Sequence, residues 1–403
     1  MTQAKPLRVA LIGDRGIPAR YSGFSTLVEE VAIRLVADHG MEVTVYCRSQ
    51  YFDSHPPQYR GVRLVYLRAP GGKSFESLLH SARALLHAAW QGYDAVLVVD
   101  PGNGPLTLPL VLRRTPFAIH TDGLGWQRSK WGKLQRSYYR WSEAVSARLA
   151  SWLVCDSPAM AAYYRDAYQR PSSYLPYGSV VGGAPSDAAL QQHGLEPGRY
   201  HLVVARLEPE NNVDFIIDEY RRSGARCPLV YVGGARYESA FSRALMQQSD
   251  GCVRCIGPVY DAELLNGLYH HCRSYLHGHE VGGTNPSLLR AMGAGAACLA
   301  IDVVFHREAL GEQGLFFSKR AGHLAGLIER LESDDAEVAR LSALATARAE
   351  AYYRWDAVSA GYATLFQRLA QARRSGVAAG SLLTGDIYHP ENFARAALDD
   401  VQY

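Results

Sequence analysis

The chain of 403 residues is bounded first by what it lacks. No apolar run is long enough to cross a bilayer, and the first residues do not carry the apolar core of a secretory signal. A cytoplasmic protein, at most peripheral on the inner face of a membrane, is therefore expected. A net charge of +3 is too small to point to nucleic acid. The dinucleotide fingerprint GxGxxG is absent. Cys47 and Arg48 end the second strand-like run, where a ribose-binding acid would stand, so a nicotinamide enzyme is disfavoured. Seven cysteines, an odd number set mostly in apolar runs, indicate reduced thiols. Cys252 and Cys255 form a lone CxxC without a second pair or a His cluster. With Val253 and Ile256 around them, a buried strand is expected rather than a zinc site.

The chain does contain enough for two cores. Hydrophobic residues make up 48% and charged residues 20%, a globular composition, and the length suggests two domains of similar size. Apolar, β-rich runs recur at 7–13, 42–47, 62–67, 93–99, 117–121, 152–156 and 173–176. A stretch rich in Gly, Pro, Ala and Ser follows at 179–198, and the pattern restarts at 200–205, 228–232, 252–257, 274–276 and 297–302. Helical stretches between the runs predict parallel sheets built from βαβ units. The expected division is 1–180, 199–350, a helix within 351–372 packing back toward the first domain, and a tail at 373–403. Helices are predicted at 337–351 and at 352–370, the latter with Trp355, Tyr362, Leu365 and Phe366.

The segment 277–295, HGHEVGGTNPSLLRAMGAG, carries the most chemistry. It turns at Gly282-Gly283-Thr284 and enters a helix with Asn285 as N-cap and Pro286 at the first position. Close backbone approach, first-turn amides without internal partners and the helix dipole suit a phosphate or diphosphate. An ordinary strand–loop–helix turn fits the same geometry equally well.

The loop after the first strand, DRGIPARYSGFSTLVEE, contains Arg15, Arg20 and Gly23. Thr26 and Glu29 have capping-box spacing. This loop reads as a phosphate or acceptor contact, with a solvated basic loop as the alternative. Residues 128–148 are basic and aromatic. Leu134, Tyr138, Trp141 and Val145 share one helical face and Lys133, Arg136 and Arg140 another. Such a helix either rests on an anionic membrane or packs into the core.

Four stretches, in order, carry a resemblance: RGIPARYSGF at 15–24, TDGLGWQRSKW at 121–131, ARLEPENN at 205–212 and HGHEVGGTNPSLLRAM at 277–292. DSPAMAAYY at 156–164, LPYG at 175–178 and DVVFHREALG at 302–311 add weaker support. Together they resemble the retaining glycosyltransferases of family 4. Within that family they look like the bacterial rhamnosyltransferase branch of cell-wall, capsule and O-antigen synthesis. The resemblance implies an α/β protein of GT-B fold, with two Rossmann-like doubly wound parallel-sheet domains facing a central cleft. It implies transfer of a sugar from a nucleotide diphosphate with retained configuration, no essential metal and no cofactor beyond the nucleotide-sugar substrate. L-rhamnose from dTDP-rhamnose, moved to a saccharide or lipid-linked saccharide, is the first expectation. A UDP- or GDP-sugar donor and a non-catalytic nucleotide- or glycan-binding scaffold are the rivals.

Carried onto this chain, the resemblance assigns catalysis to Asp122 and Arg206. It assigns the donor to Gly23, Arg206, Asn211, Asn212, Glu280, Gly282, Gly283, Thr284 and Asn285. The acceptor falls to Arg15, Tyr21, Asp122, Trp126 and Arg128. Three positions depart from the pattern. Asn211 stands where many members have lysine, Gly125 where the branch usually has glutamate, and Arg290 where many have the glutamate that accepts from the ribose. Arginine has only donors and cannot make that last contact.

Overall fold

In the computed structural model, the described residues are 5–19, 23–70, 75–121, 123–127, 131–183, 185–234 and 239–383. They form two compact units. One runs to Tyr177 and resumes at Trp355; the other is Gly178–Arg354.

The first unit is built from β1 (Arg8–Ile12), α1 (Gly23–Ala37), β2 (Glu42–Arg48), β3 (Gln58–Tyr59), β4 (Val62–Leu67), α2 (Phe75–Ala89), β5 (Ala95–Val99), α3 (Leu108–Leu112), β6 (Phe117–Thr121), α4 (Lys133–Leu149), β7 (Trp152–Cys155), α5 (Pro158–Tyr168) and β8 (Ser172–Tyr174). Its sheet has the order β3-β4-β2-β1-β5-β6-β7-β8, parallel except for the edge strand β3. The central strands are continuous apolar runs because both faces are covered; all five residues of β5, AVLVV, are buried.

The second unit contains α6 (Ala188–Gln191), β9 (His201–Val204), α7 (Val213–Ser223), β10 (Leu229–Val232), α8 (Ala240–Met246), β11 (Val253–Gly257), α9 (Ala262–His271), β12 (Ser274–His277), α10 (Pro286–Gly293), β13 (Cys298–Ile301), α11 (Val304–Leu310), β14 (Leu315–Phe317), α12 (His323–Ser333) and α13 (Asp335–Tyr352). Its six parallel strands are ordered β11-β10-β9-β12-β13-β14. Val203, Ile216, Ile217, Leu276, Leu299 and Phe317 belong to one buried cluster. Each such side chain contributes about 1.5–3 kcal/mol by leaving water.

The chain then returns to the first unit through α14 (Trp355–Ser375) and α15 (Ala379–Leu382). Helix α14 packs on α1 and buries Trp355, Tyr362, Leu365 and Phe366, while Arg373 donates to the Tyr93 carbonyl at 2.8 Å. It begins later than the periodicity predicts, because α13 runs on to Tyr352 and Tyr353 leaves helical geometry. Residues 384–403 of the expected tail lie outside the described residues.

Three expectations need correction. The capping box at Thr26 and Glu29 does not exist, because α1 already starts at Gly23 and places Thr26 inside the helix. Glu29 instead accepts from the Ala19 amide and from the Tyr59 hydroxyl. Of the CxxC only Cys255 lies on a strand, the sheet edge β11, while Cys252 precedes it and is exposed; all seven cysteines are free thiols. Helix α4 buries Ser142, Glu143, Ser146 and Ala147 and leaves Leu134 and Trp141 exposed. Its small residues press on the 3-10 turn Pro101–Thr107, where the Ser146 hydroxyl donates to the Pro101 carbonyl at 2.8 Å. The apolar stripe read from sequence is therefore not the packing face.

Candidate functional site

Open parallel sheets bind ligands at the carboxyl ends of their strands, where the strand order reverses. In the second unit that point lies between β9 and β12. Beyond β9 the chain passes through the exposed Arg206 into a 3-10 turn, Pro209–Asn211. Asn211 is buried, and its side-chain amide donates to the Arg206 carbonyl at 2.8 Å, bracing the backbone that carries the guanidinium. Asn212 adopts a left-handed φ of 52°, which asparagine tolerates better than most residues. Its amide donates to the Gly278 carbonyl at 2.8 Å and to Glu280 Oε2 at 3.2 Å. The Glu280 amide in turn donates to the Glu210 carbonyl, and Lys319 Nζ sits 2.6 Å from Glu280 Oε2. A Cβ at position 278 would lie 2.5 Å from the Asn211 carbonyl oxygen, so only glycine lets these two loops meet.

Next comes the glycine turn. Gly282 has φ +146°, while Gly283 and Thr284 are buried. Asn285 caps α10 and Pro286 takes its first position, in agreement with the sequence. The cap is more complete than expected. Asn285 Oδ1 accepts from the Ser287 amide and hydroxyl at 3.0 and 2.7 Å, and its carbonyl accepts from the Leu288 amide. The first-turn amides are thus satisfied internally, which corrects the expectation that they are free for a phosphate. One step earlier, the amides of Gly282 and Gly283 take no part in this internal bonding. Arg290 reaches the other way: its Nε donates to Asn266 Oδ1 at 2.8 Å and its Nη2 to the Ala262 carbonyl, fastening α10 to α9.

Sequence reasoning missed a group of imidazoles at the same strand ends. The His277 ring stacks on His279 at 4.4 Å and meets His306 edge-on at 4.7 Å. Tyr275 Oη lies 3.0 Å from His277 Nδ1 and donates to Ser287 Oγ at 3.2 Å. Burial pushes all three rings toward neutrality. His306 falls to about 4, and His279, which also faces the charge of Arg206, to about 3. His277 is lowered well below its ordinary value by burial and by its two histidine neighbours. His277 Nε2 and His279 Nδ1 are buried without a hydrogen-bond partner. Neutral imidazoles beside a guanidinium add hydrogen-bonding capacity without adding charge. The two histidines flanking Gly278 were the signal available in sequence. Lys319 gave none, because it follows β14, whose three residues are too few to show a period.

The first unit has a matching reversal between β1 and β5. Gly13, with φ +113°, is required there because a Cβ would overlap the Val99 carbonyl oxygen. Beside it the Ser25 hydroxyl donates to Asp14 Oδ2 at 2.6 Å. Asp100 holds φ +73° and accepts from the Gly102 amide at 2.8 Å. A non-glycine residue in that region is strained by roughly 1–3 kcal/mol. Neither aspartate was singled out from sequence, although each directly follows a strand or its terminal glycine. The Arg15 guanidinium lies 5.6 Å from the Tyr51 ring centroid, Gly23 opens α1, and Trp126 lies beneath Arg140 at 4.1 Å. Tyr21, Asp122 and Arg128 lie outside the described residues. Among the described residues no group of three His, Cys, Asp or Glu side chains is arranged to hold a metal ion, and no helix is long and apolar enough to cross a membrane.

Comparison with known proteins bears on both units. Residues 22–178 match the glycosyl transferase 4-like domain, and residues 198–334 match glycosyl transferases group 1. No curated protein sequence matches the chain. Among solved structures, a sucrose-phosphate synthase from Thermosynechococcus elongatus is similar at a TM-score of 0.76 and 20% identity, covering 91% of this chain and 100% of its own. HepE from Anabaena, in complex with UDP, is similar at 0.68 and 16% identity, covering 92% and 100%. The catalytic domain of starch synthase IV from Arabidopsis thaliana, bound to ADP and acarbose, is similar at 0.68 and 12% identity, covering 91% and 100%. These likenesses carry the fold, and the two matched domains together span well over half of the sequence. The chain belongs to the glycosyltransferases of GT-B fold.

Proposed function

We propose that the protein is a retaining, metal-independent glycosyltransferase that moves a deoxyhexose, L-rhamnose from dTDP-rhamnose, to a saccharide or lipid-linked saccharide acceptor. The observation that carries this reading is Arg206 on a turn braced by Asn211 and tied through Asn212 to Gly278, with the charge of Arg206 near His279 on the segment that leads into the glycine loop. A departing nucleoside diphosphate develops negative charge. In this reading Arg206 grips its oxygens in a fork while the amides of Gly282 and Gly283 point dipoles at it, which replaces what a cation would supply. Asn211, Asn212 and Asn285 position this apparatus; Glu280, Thr284 and the neutral His279 lie toward the donor sugar. Gly23 completes the donor side, and Asp122, Arg15, Tyr21, Trp126 and Arg128 serve the acceptor, with Asp122 beside the reacting hydroxyl.

The rhamnosyl assignment draws on the ARLEPENN and GGTNPS stretches. A UDP-sugar donor is the second reading, favoured by the UDP held by the Anabaena relative. A lipid-linked acceptor would bring the enzyme to the inner membrane face, and the exposed Leu134 and Trp141 of α4, among Lys133, Arg136 and Arg140, suit that position. A panel of dTDP-, UDP- and GDP-sugars, assayed by nucleoside diphosphate release with wild type and Arg206→Ala, tests the reading. Release from dTDP-rhamnose that Arg206→Ala abolishes is expected. Calorimetric binding of nucleotide without turnover of any donor across many acceptors would instead favour a scaffold.

A further inference from the structure

Hydrogen-bond counting at the end of β12 places the imidazole protons. Asn285 Oδ1 accepts from the Ser287 amide, so the Ser287 hydroxyl must give its one proton to the same oxygen. Ser287 Oγ then only accepts from Tyr275 Oη, 3.2 Å away, and the Val204 carbonyl, at 3.4 Å, also needs the phenol proton. Tyr275 Oη is left to accept from His277 Nδ1 at 3.0 Å. His277 is therefore the Nδ1–H tautomer, and its buried Nε2, which has no partner, is a bare lone pair. His306 likewise donates from Nδ1, to the Ile301 carbonyl at 2.7 Å.

His279 is arranged the other way. Its Nδ1 is buried without a hydrogen-bond partner, while the residue as a whole is only half-buried. A neutral imidazole carries one proton, and a buried N–H without an acceptor is rarer than a bare lone pair. The proton belongs on Nε2, away from the enclosed edge of the ring. Burial and the charge of Arg206 keep that ring neutral. Its orientation is fixed as well. It stacks on His277 at 4.4 Å with 13° between the planes, and such near-parallel rings cannot aim their lone pairs at one metal ion. On either side the backbone is fastened to the turn that follows Arg206. The Gly278 carbonyl accepts from Asn212 at 2.8 Å, and the Glu280 amide donates to the Glu210 carbonyl at 3.0 Å.

An oriented N–H without charge thus stands beside a guanidinium. A second cation would grip the product nucleotide after transfer, whereas a neutral donor gains most as negative charge develops on an oxygen. We infer that His279 is a catalytic residue whose Nε2–H donates to the phosphate oxygen that leaves with the nucleotide. The inference rests on the nucleoside diphosphate reading of the Arg206 turn and not on which sugar is moved.

Calorimetry of the full chain with dTDP, UDP and GDP, and with the matching monophosphates, tests it in two variants. His279→Phe keeps a stacked ring without a donor, and His279→Gln restores an N–H near the Nε2 position. The Phe variant should bind the preferred diphosphate about tenfold more weakly and its monophosphate as the wild type does. Its kcat for nucleoside diphosphate release should fall on the order of 10²-fold, and Gln should recover most of both losses. Nitrogen NMR of labelled histidine should show His279 as the Nε2–H tautomer. Unchanged diphosphate affinity in His279→Phe overturns the inference, as does an equal loss for monophosphate and diphosphate. An Nδ1–H tautomer, or a Gln variant no better than Phe, overturns it too. A wild type that binds none of the nucleotides overturns the transferase reading with it. Diphosphate binding that His279→Phe weakens, without turnover of any sugar nucleotide, supports the inference and defeats the transferase reading alone.

Discussion

The two sheets share a strand order but equip their reversal points with different chemistry. Setting aside the antiparallel β3, each sheet runs third, second, first, fourth, fifth and onward. In each, a glycine at the reversal admits a neighbouring backbone that a Cβ would strike: Gly13 against Val99, and Gly278 against Asn211. The first unit presents the carboxylates Asp14 and Asp100 there, with the guanidiniums of Arg15 and Arg48 close to Asp14. The second presents Arg206, the glycine turn and three neutral imidazoles. The repeated topology supplies the location, and the loops decide which charge it receives.

Removing that difference should give the largest effect. Arg206→Ala is expected to lower donor turnover on the order of 10²–10³-fold with thermal unfolding unchanged. A loss below about tenfold by the same steady-state assay would make the two reversal points chemically alike. Breaking the shared feature comes next. Gly13→Val and Gly278→Val should each cost on the order of 3 kcal/mol in urea unfolding, since both force loop backbones apart. An effect confined to one of them would show that the glycines do different work.

Acid should separate the units further. His306 titrates near 4 when folded and near 6.5 when unfolded, so the unfolded chain takes up the proton first as pH falls. Stability is complete above about pH 6.5 and drains away toward pH 4, with about 2 kcal/mol lost through His306 alone by pH 5. His279 and His277 add to this in the same direction. Melting temperatures at pH 7, 6 and 5 should fall, and His306→Phe should flatten the slope. His80 in the first unit, pushed to about 4 by burial and by Arg48, contributes a separate component that this variant leaves in place.

The remaining effects are smaller. Asn285→Ala should cost about 1 kcal/mol by removing the cap of α10. Lys319→Met should change unfolding by less than about 1 kcal/mol, because the Lys319–Glu280 pair is partly exposed.

How much of this was legible in the sequence depends on what each residue's partner was. Strands of the central sheets are continuous apolar runs, so their positions followed from composition, and Asn285-Pro286 announced a helix start through local chemistry alone. Thr26 and Glu29 misled because their spacing imitates a cap while Glu29 is engaged by Ala19 and Tyr59, one of them thirty residues away. The stripe of α4 misled for a related reason. Periodicity shows which residues share a face, but small residues such as Ser146 and Ala147 decided which face could approach Pro101–Thr107. The histidine group joins β12 to α11, and no single stretch of sequence contains it. Arg290 departed from the family pattern in sequence, and only its contact with Asn266 gave the departure a structural purpose.

The return of α14 to the first unit has a consequence for how the protein is made. Tyr362, fully buried, stacks against His120 in the interior of that unit, and Phe366 and Leu369 are sealed beside it. The domain begun first on the ribosome is therefore finished last. Its sheet must wait through synthesis of the whole second unit, on the order of tens of seconds, before its closing helix emerges. Throughout that interval the apolar surface destined for α14 stands uncovered, and a chain stalled after Arg354 would leave it so permanently.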